Sequence, residues 1–398
     1  WQTKSDKVGL TIDTSGDGKY GYWFSLSLGD SEGDGTLMPE KIYTSDWDGA
    51  WYGATSDSDD GWSAEFYIPW SQVAMPKDAD DRIINIHSMR EVAHLNEEWS
   101  WPPVPDSVPQ FISLFQPARV NNVNLKQQWS VFPYASSSYD RIDSESLTKV
   151  GADFFWRPST NAQFTATINP DFGAVEADNV VVNLSANETF FPEKRLFFQE
   201  GNEVFVATPR ASDYVWGGRS KVTVINTRRI GSRPDLPDVP EGVNFSKRIK
   251  KTTKADLNGA LKTTGQIDKF RYGILLASED ETDLLADNNQ IYNQVGRDFG
   301  AFRLLYENTD NGDTRGLGFI STTVTKPGKD SVVNAADIHY LSESGIWKTD
   351  GQYIHTNTEE YGSGKGGFLD IVYAPKQGIR NQLKMSVFDE NMEINDFG

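Results

Sequence analysis

Near the start of the chain, Asp13, Ser15 and Asp17 are oxygen-bearing residues whose spacing could support chemistry. They occupy positions 1, 3 and 5 of a turn that ends in Gly18, which is the spacing found in calcium-binding loops. The twelfth position is Phe24, whereas an EF-hand has a bidentate Glu there. The pattern therefore leaves two interpretations, a loose calcium site and the tip of an ordinary β-hairpin, and it favours the hairpin tip.

Catalytic motifs give no positive signal. The sequence has no G-x-S-x-G elbow and no H-E-x-x-H motif, and its four histidines are scattered. Residues 362–367 match G-x-G-x-x-G, but they lie between two strand patterns with no helix after them, which indicates a flexible turn. Among 57 acidic residues, no pair stands out as the carboxylates of a glycoside hydrolase. The sequence therefore predicts no catalytic residue.

The most unusual segment lies between residues 168 and 205, where a charged turn is flanked by two phenylalanine pairs. The residues concerned are Phe190, Phe191, Glu193, Lys194, Arg195, Phe197 and Phe198. Four aromatic side chains around a charged turn are unfavourable in water, because their apolar surface would stay hydrated. The pattern predicts a segment wedged against a wall that is partly polar.

Strand patterns occur on both sides of this segment. In residues 162–169, apolar residues alternate with polar ones, and similar alternation recurs at 150–156, 270–277 and 302–307 and in later runs up to residue 388. Such a period of two is typical of strands whose faces meet different environments. Each run approaches the roughly 9–11 residues that a tilted strand needs to cross a bilayer. About ten such strands predict an antiparallel meander, which leaves both a barrel and a soluble sandwich or propeller open.

Composition narrows the class of protein. At about 150 residues per domain, 398 residues allow two or three domains. There are no cysteines, so disulfides and thiolate sites are excluded. The formal net charge of −19 argues against a nucleic-acid partner, which would require a basic face, and is compatible with cation binding or a hydrated surface.

Three motifs carry a resemblance to a known family. They are NPDFGAVEAD at 169–178, ETFFPEKRLFFQEG at 188–201 and RRIG at 228–231. In this order they resemble the signature series of the bacterial DUF5916 proteins, and the similarity extends to the regions 46–51 and 61–69. One departure is Leu196, where the family has Pro.

This resemblance implies an all-β fold. Proteins of that family carry an N-terminal domain similar to family 9 carbohydrate-binding modules, followed by an outer-membrane β-barrel. We therefore expect a β-sandwich in residues 1–120 and a portion of an antiparallel, outer-membrane type barrel in residues 121–398, with an internal plug-like insertion at about 170–250. Both ends look truncated relative to the family, whose module begins before Trp1 and whose barrel continues beyond Gly398.

The resemblance also implies binding sites. Exposed tryptophan faces in a carbohydrate-binding module stack on sugar rings, and burial in the sandwich is the alternative for each of them. The candidates for binding carbohydrate are Trp47, Trp51, Trp99 and Trp101, with Arg90 as a hydrogen-bond donor.

For the insertion, we expect the four phenylalanines at 190, 191, 197 and 198 to anchor it inside the barrel. Buried charges persist only when they are paired, so Glu193, Lys194 and Arg195 should pair with inward-facing charged residues. The expected partners are Asp153, Arg271 and Arg303.

Three classes of function follow. The first is an outer-membrane protein that binds glycans and gates their passage, with saccharide, outer-membrane lipid and other envelope proteins as partners. The second is a non-enzymatic assembly or adaptor protein of the outer membrane. The third is an envelope glycoside hydrolase, which labels within the family suggest although no acid pair supports it. No cofactor is expected apart from calcium at Asp13, Ser15 and Asp17, and the expected location is the bacterial outer membrane.

Overall fold

The computed structural model describes most of the chain. The described residues are 5–45, 47–75, 81–105, 108–123, 128–140, 145–159, 162–171, 191, 193–199, 201–207, 222–245, 254–309 and 312–398. β-Strands are their main secondary structure, and the one α-helix among them, Leu196–Gln199, has four residues. Nowhere in these ranges does a helix combine the length and the apolar character that crossing a membrane requires.

The N-terminal unit is built from nine strands. They are β1 (Lys7–Asp13), β2 (Gly21–Ser27), β3 (Glu32–Met38), β4 (Ile42–Thr44), β5 (Tyr52–Ser58), β6 (Gly61–Tyr67), β7 (Arg82–Val92), β8 (Glu97–Trp101) and β9 (Gln116–Val120). The main sheet has the order β4-β3-β2-β1-β7-β8, with β9 also paired to β7, and β5 and β6 form a separate hairpin.

Period-two alternation gives the main sheet two different faces. One face packs on the segment that contains hairpin β5–β6, in a core that includes Ile12, Phe24, Trp47, Trp51 and Ile84. The opposite face is covered by residues 108–115, whose aromatic rings pack on the buried side chain of His87. The unit is therefore a β-sandwich.

The C-terminal unit is one large antiparallel sheet. Its strands are β10 (Gln128–Asp140), β11 (Glu145–Ser159), β12 (Ala162–Ile168), β13 (Leu257–Ile267), β14 (Phe270–Glu279), β17 (Asp298–Asn308), β18 (Thr314–Thr325), β19 (Ser331–Leu341), β20 (Trp347–Thr358), β21 (Gly362–Lys376) and β22 (Ile379–Phe388), and a side hairpin is formed by β15 (Thr282–Leu285) and β16 (Ile291–Gln294). The eleven strands pair in chain order from β10 to β22, with the side hairpin between β14 and β17.

The two faces of this sheet differ in an unusual way. Leu275 is fully buried and the next residue, Leu276, is 49% exposed; Arg303 is fully buried and Leu304 is 39% exposed. Apolar side chains thus cover the exposed outer face, while charged groups lie on the buried inner face. This confirms the predicted all-β architecture with an outer-membrane type barrel sheet. Strands β10 and β22 are the two edges of this sheet and are not paired with each other.

The connection between β12 and β13 holds the predicted insertion. Its described parts lie against the inner face of the sheet, where they share one apolar core with the strands. Phe197, Phe198 and Phe205 of the insertion are buried in that core together with Leu275 and Ile320 of the sheet. The insertion therefore covers the central part of the inner face.

Candidate functional site

Two exposed tryptophans project from β8 at the edge of the sandwich. Trp99 and Trp101 are 63% and 51% exposed. In the register of β7 and β8, Arg90 lies opposite Trp99 and Ser88 lies opposite Trp101. Residues that oppose each other in this way point to the same face, with Cβ atoms about 4.5–5.5 Å apart. We refer to Arg90, Trp99 and Trp101 as the aromatic platform.

The platform has the chemistry of a sugar-binding surface. The Nε1 atom of Trp99 donates a hydrogen bond to Glu97 Oε2 at 3.2 Å. This bond is made at the edge of the indole, so it orients the ring without covering its face. An indole face stacks on the C–H groups of a sugar ring, and the exposed guanidinium of Arg90 can donate to hydroxyl or carboxylate oxygens. The structure thus brings three of the five predicted carbohydrate-binding residues onto one face.

The other two candidates belong to the core. Trp47 and Trp51 are only 7% and 5% exposed. The Trp47 ring packs edge-on against Phe24 at 5.8 Å between centroids, and Trp51 stacks on Phe66 at 5.6 Å. Trp51 Nε1 donates to Asp34 Oδ2 at 2.9 Å, which satisfies its polar atom. Because their faces are occupied by neighbouring rings, Trp47 and Trp51 fill the interior, the alternative that the sequence left open.

The turn between β1 and β2 is organised around the buried carboxylate of Asp13. Its Oδ1 atom accepts from the backbone N–H groups of Ser15 and Gly16, and its Oδ2 atom accepts from Gly18 N at 2.7 Å and Asn85 Nδ2 at 2.8 Å. Burial raises the pKa of Asp13, and the nearby charge of Asp17 raises it further. These bonds give the carboxylate a structural role in the turn. Calcium at Asp13, Ser15 and Asp17 stays a prediction, and the described residues contain no group of three His, Cys, Asp or Glu side chains suited to a metal.

The same turn brings Tyr20 to the mouth of the barrel sheet. Its hydroxyl donates to Glu307 Oε1 at 3.2 Å, and the guanidinium carbon of Arg271 lies 3.5 Å from the centre of its ring. Arg271 in turn pairs with Glu203 of the insertion at 3.5 Å. Sandwich, sheet and insertion therefore meet at this point.

Next to this junction, the inner face carries a chain of charged residues. Arg303 Nη2 donates to Asp337 Oδ2 at 2.7 Å, and both side chains are fully buried. The two ring nitrogens of His339 lie 2.9 Å from Asp337 Oδ2 and 2.8 Å from Asp350 Oδ1, and Lys348 follows at 3.5 Å from Asp350. We refer to Arg303, Asp337, His339, Asp350 and Lys348 as the inner-face network.

A glycine makes room for this network. Arg303 on β17 reaches Asp337 on β19 across β18, where Gly318 lies opposite Asp337 in the register. A Cβ atom at residue 318 would lie 2.3 Å from Asp337 Oδ2 and 2.5 Å from Arg303 Nη1. The ion pair therefore depends on a residue without a side chain at this position.

A small cavity lies between the sandwich and the inner-face network. Its volume is about 70 Å³, and Tyr20, Glu40, Arg303 and Glu307 are among its lining residues. Arg303 Nε and Glu307 Oε2 have no hydrogen-bond partner within the described part of the chain. Buried polar atoms of this kind are normally satisfied, and a cavity of this size holds a few water molecules. The geometry indicates a hydrated interior at this end of the barrel.

The insertion supplies its own counter-ions. Glu193 and Arg195 are buried and pair at 2.7 Å, and Arg195 also donates to the carbonyl oxygens of Thr227 and Ile230, both at 2.6 Å. Burial raises the pKa of Glu193, but the hydrogen bond and charge of Arg195 outweigh this effect and hold that pKa below its usual value. Glu193 and Arg195 thus pair with each other inside the insertion, and pairing of this turn with inward charges of the strands stays a prediction.

Other predicted residues of the insertion and its surroundings are placed as follows. Arg271 pairs with Glu203 and Arg303 pairs with Asp337. Phe197 and Phe198 are buried, Phe191 and Lys194 are half-buried, and Phe190 lies outside the described residues.

Sequence reasoning anticipated Arg303 as an inward-facing charge but missed Tyr20, Glu307 and the other members of the inner-face network. The signal for Arg303 is its charge within the otherwise apolar run FGAFRLLYEN. The alternating glycines of β18, Gly316 and Gly318, were a second signal. Neither signal identifies the partner, because the pairing depends on the register of three strands.

Comparisons with known proteins give one family and several distant structural likenesses. No curated protein matches the chain. A loop-deletion mutant of OmpT, an outer membrane protein of Vibrio cholerae, is 7% identical over 97% of this chain and 94% of that chain, with a TM-score of 0.27. Wzi, an outer membrane protein involved in group 1 capsule assembly in Escherichia coli and described as a carbohydrate-binding β-barrel, is 9% identical over 97% and 80%, with a TM-score of 0.30. Likenesses this distant carry no information about function.

The chain also matches a protein family by sequence. The sequence profile described as "Domain of unknown function (DUF5916)" matches residues 128–398. This range begins at the first residue of β10 and contains every strand of the large sheet. Because the match covers well over half of the sequence, the chain belongs to the DUF5916 family.

Proposed function

We propose that this protein is an outer-membrane β-barrel protein that binds glycans through its N-terminal sandwich. The observation that carries the proposal is the inverted polarity of the large sheet, which exposes apolar side chains and buries charged ones. Ile274, Leu276, Phe302 and Leu304 are between 37% and 49% exposed on neighbouring strands. An apolar surface of this kind is unfavourable in water and favourable in hydrocarbon.

Aromatic residues at one end of the sheet support the same proposal. Outward-facing rings lie where strands β14, β17, β19, β20 and β21 reach this end. They are Phe270, Tyr306, Tyr340, Trp347 and Tyr373. Two pairs are in contact, Phe270 with Tyr306 at 5.2 Å and Trp347 with Tyr373 at 4.4 Å between centroids. Membrane barrels carry such aromatic girdles where the bilayer meets water.

Glycan binding is assigned to the aromatic platform. Trp99 and Trp101 are each more than half exposed, and Arg90 supplies donors beside them. In the same proposal, passage through the barrel is gated, because the insertion lies on the inner face and the sandwich lies at the mouth. Both the insertion and the sandwich therefore have to move before a saccharide passes through the barrel.

The experiment that tests the proposal combines location and binding. The full chain is expressed in a Gram-negative host, membranes are separated by density, and the extracted protein is applied to a glycan array. We expect recovery in the outer-membrane fraction and binding that the Trp99→Ala variant loses. Recovery as a soluble protein without detergent would refute the membrane location, and unchanged array binding by Trp99→Ala would refute the role of the platform.

A further inference from the structure

The two ends of the barrel sheet differ in the length of their connections. At one end the strands are joined by residues 160–161, 268–269, 309–313, 342–346 and 377–378. At the other end the connections are residues 141–144, 169–256, 280–297, 326–330 and 359–361. Both long connections, the insertion and the one that holds the side hairpin, therefore leave from the same end. In outer-membrane barrels, short turns face the periplasm and long loops face the outside.

The sandwich is attached at the end with the short turns. Arg157 Nη1, near the turn at 160–161, donates to the carbonyl oxygen of Ser71 at 2.6 Å. Gln110 Nε2 donates to the carbonyl oxygen of Glu343, in the turn at 342–346, at 3.1 Å. Tyr20 bonds to Glu307 at the end of β17. Contacts with three separate strand ends hold the sandwich on this side of the sheet.

The position of the aromatic rings along the strands supports the same arrangement. Tyr306 precedes the Tyr20 partner Glu307, and Tyr340 and Trp347 flank the turn that Gln110 contacts. These rings belong to the aromatic girdle described above, so the girdle lies at the height where the sandwich begins. The sandwich then stands in the aqueous compartment next to the short turns.

We infer that the sandwich lies in the periplasm and that its aromatic platform binds peptidoglycan, the carboxylate-bearing glycan of that compartment. This inference rests on the proposed function and names the ligand of the same surface. The sugar chain supplies C–H faces for Trp99 and Trp101, and the carboxylates of the stem peptides complement Arg90. Within the described residues Arg90 forms no ion pair, so its charge is available to a ligand.

Orientation is tested by thiol labelling, since the chain has no cysteine and each introduced thiol is unique. The variants are Glu360→Cys in the connection 359–361, Gln377→Cys in the turn 377–378 and Asp59→Cys in the β5–β6 turn, all at exposed positions. A maleimide that cannot cross the outer membrane is added to intact cells and to permeabilised cells. We expect Glu360→Cys to react in intact cells and the other two variants to react only after permeabilisation.

The other outcomes are informative in different ways. Reaction of Asp59→Cys or Gln377→Cys in intact cells overturns the periplasmic placement and leaves the barrel in the membrane. Protection of all three thiols in intact cells overturns the proposed membrane function itself, and the inference falls with it.

The ligand is tested by sedimentation of the extracted full-length protein with purified peptidoglycan sacculi. We expect binding that weakens by about tenfold in Trp99→Ala, because a stacking contact is lost. Arg90→Gln should also weaken binding and reduce its dependence on salt. Tyr52→Ala serves as the control, because Tyr52 is an equally exposed aromatic residue on another strand.

Failure of this test is separable from failure of the proposed function. If the wild-type protein binds other polysaccharides through Trp99 but not sacculi, the choice of peptidoglycan is overturned and glycan binding stands. Equal binding of sacculi by the wild type and Trp99→Ala overturns the platform as the site.

Discussion

Two arginine–aspartate pairs of the large sheet differ in burial, and we expect them to differ in how much they stabilise the protein. Arg303 and Asp337 are both fully buried, whereas Arg315 is 63% exposed in its side chain and pairs with Asp313 at 2.6 Å. Removing one partner of a buried pair leaves a charge without compensation, which costs about 3–5 kcal/mol. An exposed pair contributes about 0–1 kcal/mol, because water screens it.

We therefore predict that Asp337→Asn lowers the free energy of unfolding by about 3 kcal/mol or more. The control Asp313→Asn should change it by less than about 1 kcal/mol. Denaturant unfolding of the detergent-extracted protein, followed by tryptophan fluorescence, measures both values. Equal effects of the two variants would show that the interior of the barrel is open to solvent at Arg303.

The pair of Glu193 and Arg195 leads to a prediction about pH. Because the pKa of Glu193 is held below its usual value of 4.5, the ionised pair stabilises the folded state fully above pH 4.5. That stabilisation is lost as the pH falls through the lowered pKa of the folded state. The Glu193→Gln variant should thus be less stable than the wild type at neutral pH, and the difference should shrink in acid.

Thermal unfolding of both proteins between neutral pH and about pH 3 checks this sign. Thr55→Val is a suitable control, because Thr55 bonds to the fully exposed Asp30 far from the insertion. A difference between wild type and Glu193→Gln that grows in acid would contradict the account.

The burial and the partners of single residues were hard to predict from the sequence. Both Trp51 and Trp99 occur in aromatic, strand-like surroundings, and only the packing of hairpin β5–β6 decides that one is buried and the other is exposed. The partnership of Arg303 and Asp337 depends on the register of β17, β18 and β19, which alternation alone does not specify. The pairing of Glu193 with Arg195 was not anticipated either, since the expected partners were charged residues of the strands.

At the scale of elements, the insertion is fixed to the inner face by its phenylalanines. Phe198 is fully buried, packs edge-on against Phe197 at 4.8 Å and lies under the guanidinium of Arg195 at 4.2 Å. Leu196 belongs to the same short helix but is 63% exposed. The helix thus offers a matched pair of positions, one facing the core and one facing away.

We predict that Phe198→Ala lowers the free energy of unfolding by about 3–5 kcal/mol, because it leaves a cavity in the shared core. Leu196→Ala should change it by no more than about 0.5 kcal/mol, as expected for an exposed position. Unfolding of the insertion is followed by limited proteolysis, with cleavage near residue 198 as the signal. If both variants were cleaved at the wild-type rate, the insertion would not depend on this anchor.

The strands themselves were the most predictable elements. Alternation in residues 270–277 and 302–307 predicts strands there, and the structure has β14 and β17 over these residues. The reason is physical, since a period of two arises only when the two faces of a strand meet different surroundings. The side hairpin of β15 and β16 was not anticipated, because its strands are short and its polar residues mix with apolar ones.

At the scale of the whole molecule, two units with different surfaces share one chain. The strands of the sandwich end at Val120, and the large sheet begins at Gln128. The family resemblance implied a boundary between residues 120 and 121, which lies in this region. How the units sit together was not predictable, since Tyr20 and Glu307 are far apart in the chain and nothing local links them.

The contact of Tyr20 leads to a prediction about the barrel mouth. Replacing Tyr20 by Ala removes the bond to Glu307 and the ring that covers Arg271, which should loosen the sandwich from the sheet. In planar bilayers we expect more frequent or larger conductance events for Tyr20→Ala than for the wild type. Tyr52→Ala, at an exposed ring away from the mouth, should behave as the wild type does.

The central claim is that the outer face of the large sheet is in contact with lipid chains. It is tested most directly by attaching a fluorophore to single cysteines and measuring quenching by lipids that carry a nitroxide on the acyl chain. The variants are Leu276→Cys and Leu304→Cys on the outer face, with Glu360→Cys in an exposed turn as the control. The account predicts strong quenching at residues 276 and 304 and little at residue 360. Quenching of residues 276 and 304 by aqueous iodide, with no effect of the nitroxide lipids, would contradict it.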